Sequence, residues 1–235
     1  MPLRDRYERR WQPLVRRFLT ARKRRQIYVF DLIALPALAA WPYFRARAAI
    51  GSFNSAKLNL GAGPSRLPGW IHADLNPLRW PDVWMDARRR WPFKSGSIMG
   101  LATSHFLEHL FDDEVRFVLK EAYRVLKPGA FLRVSVPDLD KAITQYLSQD
   151  PTCDGDLDRA AERFHEFCHW QGGHHQVFNF SRLQRLLLHA GFSGMEQPPL
   201  PHSAFLSENE VREIDRHPDE SLFVECVKPA PQARQ

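Results

Sequence analysis

A chain of 235 residues, 44% hydrophobic and 26% charged, has room for one good-sized globular domain, with or without an extension. The net charge of +6 averages two unlike regions: ten of the 33 Lys/Arg but only two of the 27 acids fall within the first 25 residues, so that arm carries +8 and the remainder −2. The split argues against nucleic-acid binding by the domain, and three scattered cysteines, Cys153, Cys168 and Cys226, suit a reducing compartment and exclude a disulfide framework.

In the arm, Trp11, Leu14, Val15, Phe18 and Leu19 recur at helical spacing among arginines, ahead of an apolar run from Ile27 to Phe44. A positive stretch before an apolar one has the order of a signal anchor. Eighteen residues is near the lower limit for a span, and Asp31, Pro36 and Pro42 make a poor spanning helix. Three readings stay open. The helices of residues 1–55 pack on the core, arginines to solvent, and take the place of a missing first crossover helix, or residues 1–44 rest on an anionic membrane surface as a basic amphipathic element, or the apolar run spans. The expected location is cytoplasmic, with peripheral attachment at the inner face of the membrane as the alternative.

Lys57-Leu58-Asn59-Leu60 alternates as a short strand, and Gly61-Ala62-Gly63 ends it abruptly. A second run, Trp70-Ile71-His72-Ala73, ends at Asp74. Strand, glycine turn and second strand with a terminal carboxylate is how a doubly wound sheet holds a nucleoside. Glycine lets the backbone approach the ligand, and an ionised carboxylate accepts from a ribose diol. Asp74 follows Gly61 by 13 residues, with Pro64, Pro68 and Gly69 between, so a first crossover helix has no room. Another segment must cover that face of the sheet.

A third strand is expected over Asp82–Met85, ending at Asp86-Ala87, and a fourth over Ile98–Thr103. Ser104-His105-Phe106-Leu107-Glu108-His109 then leaves the carboxyl rim, where open α/β sheets place their ligands. Asp112 is the candidate N-cap of a helix carrying Val115, Val118, Leu119, Ala122 and Leu126 on one face. Lys127-Pro128-Gly129 stops it, and Phe131–Val136 reads as a buried fifth strand ending at Pro137-Asp138. Helices over about Asp138–Ser148 and Leu157–Trp170 form an insertion within 139–180. Ser181 begins a further helix with Gln184 set for a capping box and Gly191 at its C-terminus. Met195–Leu200 is a weak sixth strand and Leu222–Lys228 a good last one, leaving 229–235 as a frayed tail.

In order and spacing, LNLGAG, ADLNP, Asp86, SHFLEHL and EAYRVLKPGAFLRVSVPD resemble the class I S-adenosylmethionine-dependent methyltransferases, over roughly Lys57–Lys228. The likeness is to the small bacterial branch found among sugar and cell-surface biosynthesis enzymes. It implies an α/β, doubly wound, Rossmann-like sheet of seven mostly parallel strands with the last antiparallel, in a domain over 56–228. It implies S-adenosyl-L-methionine as cofactor, on Gly61, Ala62, Gly63, Asp74, Leu75, Asp86, Ala87 and Ser104, with Asp86 at the adenine amino group. The acceptor expected by analogy is a small molecule or a glycan.

His105, Glu108 and His109 follow the fourth strand, and a neutral imidazole there could take a proton from an acceptor hydroxyl. Glu108 is read as hydrogen-bonding the backbone or His109. His174-His175-Gln176-Val177-Phe178-Asn179 resembles the branch's His-x-aromatic-x-(Asp/Asn/Thr) stretch, and the aromatic spacing favours His175 over His174. His105 and His175 are therefore the candidate catalytic residues, set against plain substrate contacts and loop hydrogen bonds. Arg216 is either a fork for an anionic substrate group or an ion-pair partner of Asp215, Asp219 or Glu220.

His165-Glu166-Phe167-Cys168-His169 matches the H-E-x-x-H pattern of zinc hydrolases, with His174 or His175 as a third ligand. It lies within an insertion of a chain whose other pieces fit other chemistry, so no metal is assigned. A catalytically silent cofactor-binding scaffold is the other alternative.

Overall fold

The computed structural model describes residues 56–76, 79, 81–148, 157–170 and 173–230, all within one unit, Arg45–Gln235. The expectations for the arm, 1–55, and for the last five residues of the tail lie outside the described residues.

The strands are β1 (Lys57–Leu60), β2 (Trp70–Asp74), β3 (Val83–Trp84), β4 (Ile98–Ser104), β5 (Leu126–Pro137), β6 (Ser193–Glu196) and β7 (Ser221–Val227). They form one sheet in the order β3-β2-β1-β4-β5-β7-β6. β1 to β5 are mutually parallel, and β7 runs antiparallel to both β5 and β6. This is the Rossmann-like α/β sheet expected, with its antiparallel last strand. β1 lies inside the sheet between β2 and β4 and is buried on both faces, which explains why Leu58, Asn59 and Leu60 are all enclosed although only two are apolar.

One face is apolar. Helix α1 (Asp112–Val125) buries Val115, Val118, Leu119, Ala122 and Val125, and α4 (Phe180–Ala190) buries Leu183, Leu186 and Leu187 in the same cluster. Asp112, Asp113 and Glu114 in the first turn of α1 suit the positive end of its dipole. The N-cap of α1 is Phe111, not Asp112: the Phe111 amide donates to Glu114 (2.9 Å), while the Asp112 carboxylate turns outward to Arg116 and Arg182. Likewise the cap of α4 is Asn179, whose side chain accepts from the Arg182 amide, rather than Ser181. Gly191 ends α4 at φ 104, with the Tyr123 ring 2.9 Å from where a Cβ would stand. Both left-handed backbone and lack of room require glycine there.

The other face answers the missing crossover. Only Gly61–Gly69 joins β1 to β2, so no helix packs there from that connection. A remote one does: α5 (Glu208–Ile214) lays Val211 and Ile214, with Leu206, against Leu67, Trp70, Ala102 and Phe131. Glu210 fixes it, accepting from Lys57 Nζ (2.7 Å) and from the Trp70 indole (2.9 Å). Ser207 starts α5 with a capping box to Glu210. Farther along, Arg133 on β5 is wholly buried, donating from Nε and Nη2 to Asp215 (2.9 and 2.5 Å) and from Nη1 to Glu225 (2.7 Å). Burial of Asp215 raises its carboxyl above the usual range despite the Arg133 charge, because one cation is shared with Glu225.

The insertion contains α2 (Leu139–Leu147) and α3 (Leu157–His169), which pack on each other, Tyr146 against Phe164 (5.5 Å between rings). Asp138 caps α2, accepting from the Asp140 and Lys141 amides. β6 covers Ser193–Glu196 rather than Met195–Leu200, since Pro198, Pro199 and Pro201 have no amide proton to extend a ladder. Among the described residues, no helix is long and apolar enough to cross a membrane.

Candidate active site

The expected cofactor residues stand at the carboxyl ends of four adjacent strands, β3-β2-β1-β4. At β1, the amides of Gly61 and Ala62 both donate to the Ala73 carbonyl (2.9 and 3.2 Å), which bends the chain back beside β2. Gly61 has φ 65, and the Phe106 ring would come within 2.8 Å of an added Cβ. The turn is therefore pressed against the segment that leaves β4. Gly63 is also left-handed, at φ 53, but its open side meets nothing within 4 Å.

At β2, Asp74 accepts from the Gly63 amide through Oδ2 (2.8 Å) and from the Asn76 amide through Oδ1 (2.7 Å). Each carboxylate oxygen keeps a further acceptor site, so a ribose diol fits without breaking these bonds. Leu75 is exposed, and its carbonyl takes the Trp84 indole (2.7 Å). Beyond β3, Ala87 is buried, with its carbonyl accepting from the Trp91 indole (2.8 Å). Asp86 is engaged by Arg88 through both oxygens, Nε to Oδ1 (2.8 Å) and Nη2 to Oδ2 (2.9 Å). Burial pushes the Asp86 carboxyl up, yet the hydrogen bonds and charge of Arg88 outweigh it and hold the group below the usual range. An adenine amino group at Asp86 would have to share it with that guanidinium.

Ser104 ends β4, and His105 follows at φ 48, left-handed for a residue with a Cβ. The His105 amide first extends the ladder, donating to the Ser135 carbonyl (2.9 Å), and the chain then turns into a short 3-10 element, Leu107–His109. The Ser221 hydroxyl donates to the His217 carbonyl (2.6 Å), so its free lone pair accepts from His105 Nε2–H (2.7 Å). His105 Nδ1 lies 3.4 Å from Glu108 Oε1.

A cavity of about 440 Å³ opens here at the ends of β4 and β5, with α2 and α3 as its outer wall. His105, Glu108, His109, Asp138, Trp170 and His174 face it. Glu108 is 1% exposed, and neither carboxylate oxygen has a hydrogen-bond partner, contrary to the expected bond to backbone or His109. His109 donates from Nδ1 to the Gly173 carbonyl (2.9 Å), and His174 from Nδ1 to the Phe167 carbonyl (2.8 Å). Burial, foremost, lowers the His174 pKa.

His105 and His174 line the cavity, whereas His175 stacks on Phe111 (4.2 Å) outside the lining and donates its amide to the Glu108 carbonyl (2.7 Å). The doubled histidine thus presents its first member. His165 and His169 share a face of α3, rings 4.7 Å apart, but both are exposed, and His174 lies with Glu108 and His109 instead of completing that pair. Arg216 pairs at the surface with Glu213, not with Asp215, which Arg133 occupies. The sequence held each histidine cluster separately, and no local signal in it brings residues 108–109 onto 173–176.

The seven-stranded sheet order, with its antiparallel last strand, is that of the Rossmann-like methyltransferase fold. Residues 69–134, which include Asp74, Asp86 and Ser104, match the family model described as a methyltransferase domain. Among solved structures, a possible exported protein from Bordetella parapertussis is similar at 16% identity and a TM-score of 0.50, over 85% of this chain and 70% of that one. A possible histamine N-methyltransferase from Thermotoga maritima has 19% identity and a TM-score of 0.48 over 86% and 96%. A SAM dependent methyltransferase from Archaeoglobus fulgidus has 18% and 0.46 over 80% and 94%. No curated protein matches the chain.

Proposed function

We propose that the chain transfers a methyl group from S-adenosylmethionine to a small-molecule acceptor seated in the 440 Å³ cavity. The observation that carries this reading is the arrangement of one rim: a glycine turn and Asp74 at β1 and β2, and a lined cavity at the adjoining β4 and β5. Bound there, the cofactor's sulfonium supplies an electrophilic methyl. The chain's own task is alignment, since holding two reactants in line replaces a bimolecular encounter. Asp74 and the Gly61–Gly63 turn hold the nucleoside, with Leu75, Ala87 and Ser104 around it. His105, held through Nε2 by Ser221, lines the cavity and orients an acceptor hydroxyl there.

A hydroxyl-bearing acceptor of saccharide or cell-surface-precursor type is the finer reading, and its support is the sequence resemblance. The +8 arm supports attachment to an anionic membrane surface, and the −2 remainder supports the absence of a nucleic-acid partner. The second reading is a scaffold that binds cofactor without turnover; the grip of Arg88 on Asp86 bears on how adenine is held in either reading.

Methyl transfer from labelled cofactor into a cell extract, run beside calorimetric titration with S-adenosylhomocysteine, tests these readings together. Asp74→Ala should weaken S-adenosylhomocysteine by about 1.5–3 kcal/mol, the scale for losing a charged acceptor. His105→Asn should lower turnover and leave that affinity unchanged. Binding without any labelled product would establish the scaffold, and unchanged affinity in a folded Asp74→Ala would remove the ribose assignment.

A further inference from the structure

We propose that Glu108, His109 and His174 form a site for a divalent transition-metal ion on the wall of the acceptor cavity, where the sequence assigned no metal. One ligand atom from each lies within 4.8 Å of the others. Donors around a tetrahedral Zn²⁺ at about 2.0–2.1 Å stand roughly 3.3 Å apart, so closure asks for small side-chain movements.

Three independent features converge on an ion. The first is the tautomers. His109 and His174 each give their Nδ1–H to a backbone carbonyl, which leaves each Nε2 as the nitrogen that can ligate an ion. A carbonyl on the far ring nitrogen is the usual outer support of a metal-bound imidazole. The second is Glu108, a buried carboxylate with both oxygens unbonded. Such a group is costly without a cation beside it. His105 Nδ1 stands 3.4 Å from Oε1, longer than a charge-assisted hydrogen bond.

The third is rigidity. The Glu108 carbonyl accepts from the amides of His175 and Gln176 (2.7 and 3.2 Å), and His174 N is tied to the His169 carbonyl (3.2 Å). The loop carrying His174 is thus clamped onto the element carrying the other two ligands. Trp170 closes the outer side, against His109 (5.4 Å) and His174 (5.7 Å).

Two imidazoles and one carboxylate suit Zn²⁺, or Fe²⁺ in the same arrangement, and leave coordination positions open to the cavity. The site stands apart from the methyl-transfer reading. Where that reading holds, the ion gives an acceptor oxygen a Lewis acid to bind, which selects hydroxyl acceptors with a coordinating oxygen.

The test uses the untagged full-length protein, stripped by chelation, then titrated with Zn²⁺ by calorimetry and with Co²⁺ by visible absorption. One ion per chain with tetrahedral Co²⁺ bands is expected. His109→Ala and His174→Ala should each weaken binding at least about 100-fold, beyond the loss typical of an outer-shell partner. The double variant His165→Ala/His169→Ala should bind as the parent does. Circular dichroism and S-adenosylhomocysteine titration report whether each variant is folded, with Glu108→Gln as the variant that keeps the side chain's volume. A parent that takes up no ion at micromolar concentration would overturn the site and make a protonated His105 the counterion of Glu108. Loss of binding in the α3 double variant alone would also overturn it, assigning the ion to the exposed histidine pair. Failure of S-adenosylhomocysteine to bind would count against the methyl-transfer reading and leave the metal result standing.

Discussion

On one face of the sheet, α1 and α4 press Val118, Leu119, Leu183 and Leu187 into Leu101, Leu132 and Val134, with scarcely a polar atom between them. On the other, among the described residues, one short helix arrives from the far end of the chain and is fastened by polar and charged bonds: Glu210 to Lys57 and Trp70, Asp215 to Arg133. Apolar area gives cohesion without direction, whereas a buried ion pair gives direction and little net stability. A face lacking its own crossover helix needs the second kind, because α5 must be placed in register over residues remote in sequence.

The comparison breaks most sharply at Arg133. Arg133→Ala strands two buried carboxylates and should cost about 3–5 kcal/mol in urea unfolding. The volume-keeping combination of Arg133→Met, Asp215→Leu and Glu225→Leu should recover most of that loss. If the single variant loses under about 1 kcal/mol, α5 is held by its apolar contacts instead. Leu187→Ala on the opposite, wholly buried face should cost about 3 kcal/mol through lost contact and the cavity left behind, with no rescue by neighbouring polar changes.

The smallest effect belongs to Glu210. Burial pushes its carboxyl up, but hydrogen bonds from Lys57, from Ser207 and from Trp70 outweigh this and hold it at about 2, against the usual 4.5. A depressed pKa in the folded state stabilises at pH above about 4.5, and the gain is lost as pH falls from 4.5 towards 2. With the solvent screening of a partly exposed pair, that gain is about 1 kcal/mol. Glu210→Gln should therefore lower stability by about that much at pH 7 and leave it unchanged near pH 2, read as the difference between the two acid-unfolding curves.

The same division explains what could be read from the sequence. The β1–turn–β2 unit is local: alternation, Gly61, Gly63 and a strand-end Asp74 lie within 20 residues, and each has its own chemical signature. The absence of a crossover helix was equally local, since Pro64 and Pro68 leave it no length. The arm, the cover expected from the sequence, lies outside the described residues; that α5 packs on this face was not legible, because Val211 and Ile214 meet Trp70 and Phe131 only after the whole sheet is ordered. Helix caps failed by one or two positions for a related reason. Asp112 and Ser181 are good caps in isolation, but an ion pair with Arg116 and Arg182 draws Asp112 outward, and Asn179 reaches the Arg182 amide first.

In the candidate site, the pattern H-E-x-x-H was the conspicuous one, and His165 and His169 remain on the outside of α3. Glu108 and His109 form no such pattern by themselves. Their partner His174 lies 65 residues on, across an insertion whose folding decides which member of His174-His175 turns inward.

The bond between Lys57 and Glu210 joins residues 153 apart in the chain. Synthesis runs from the N-terminus at roughly 5–20 residues per second, so β1 waits on the order of ten seconds between leaving the ribosome and receiving α5. For that interval Leu67, Trp70 and Phe131 lack the contacts that Val211 and Ile214 later give them. A nascent chain halted before residue 208 already contains Gly61 and Asp74 but not the apolar residues of α5 that meet Leu67, Trp70 and Phe131. Exposed surface of that kind is what chaperones hold during translation, and the demand for such help is written into the order of the strands and helices.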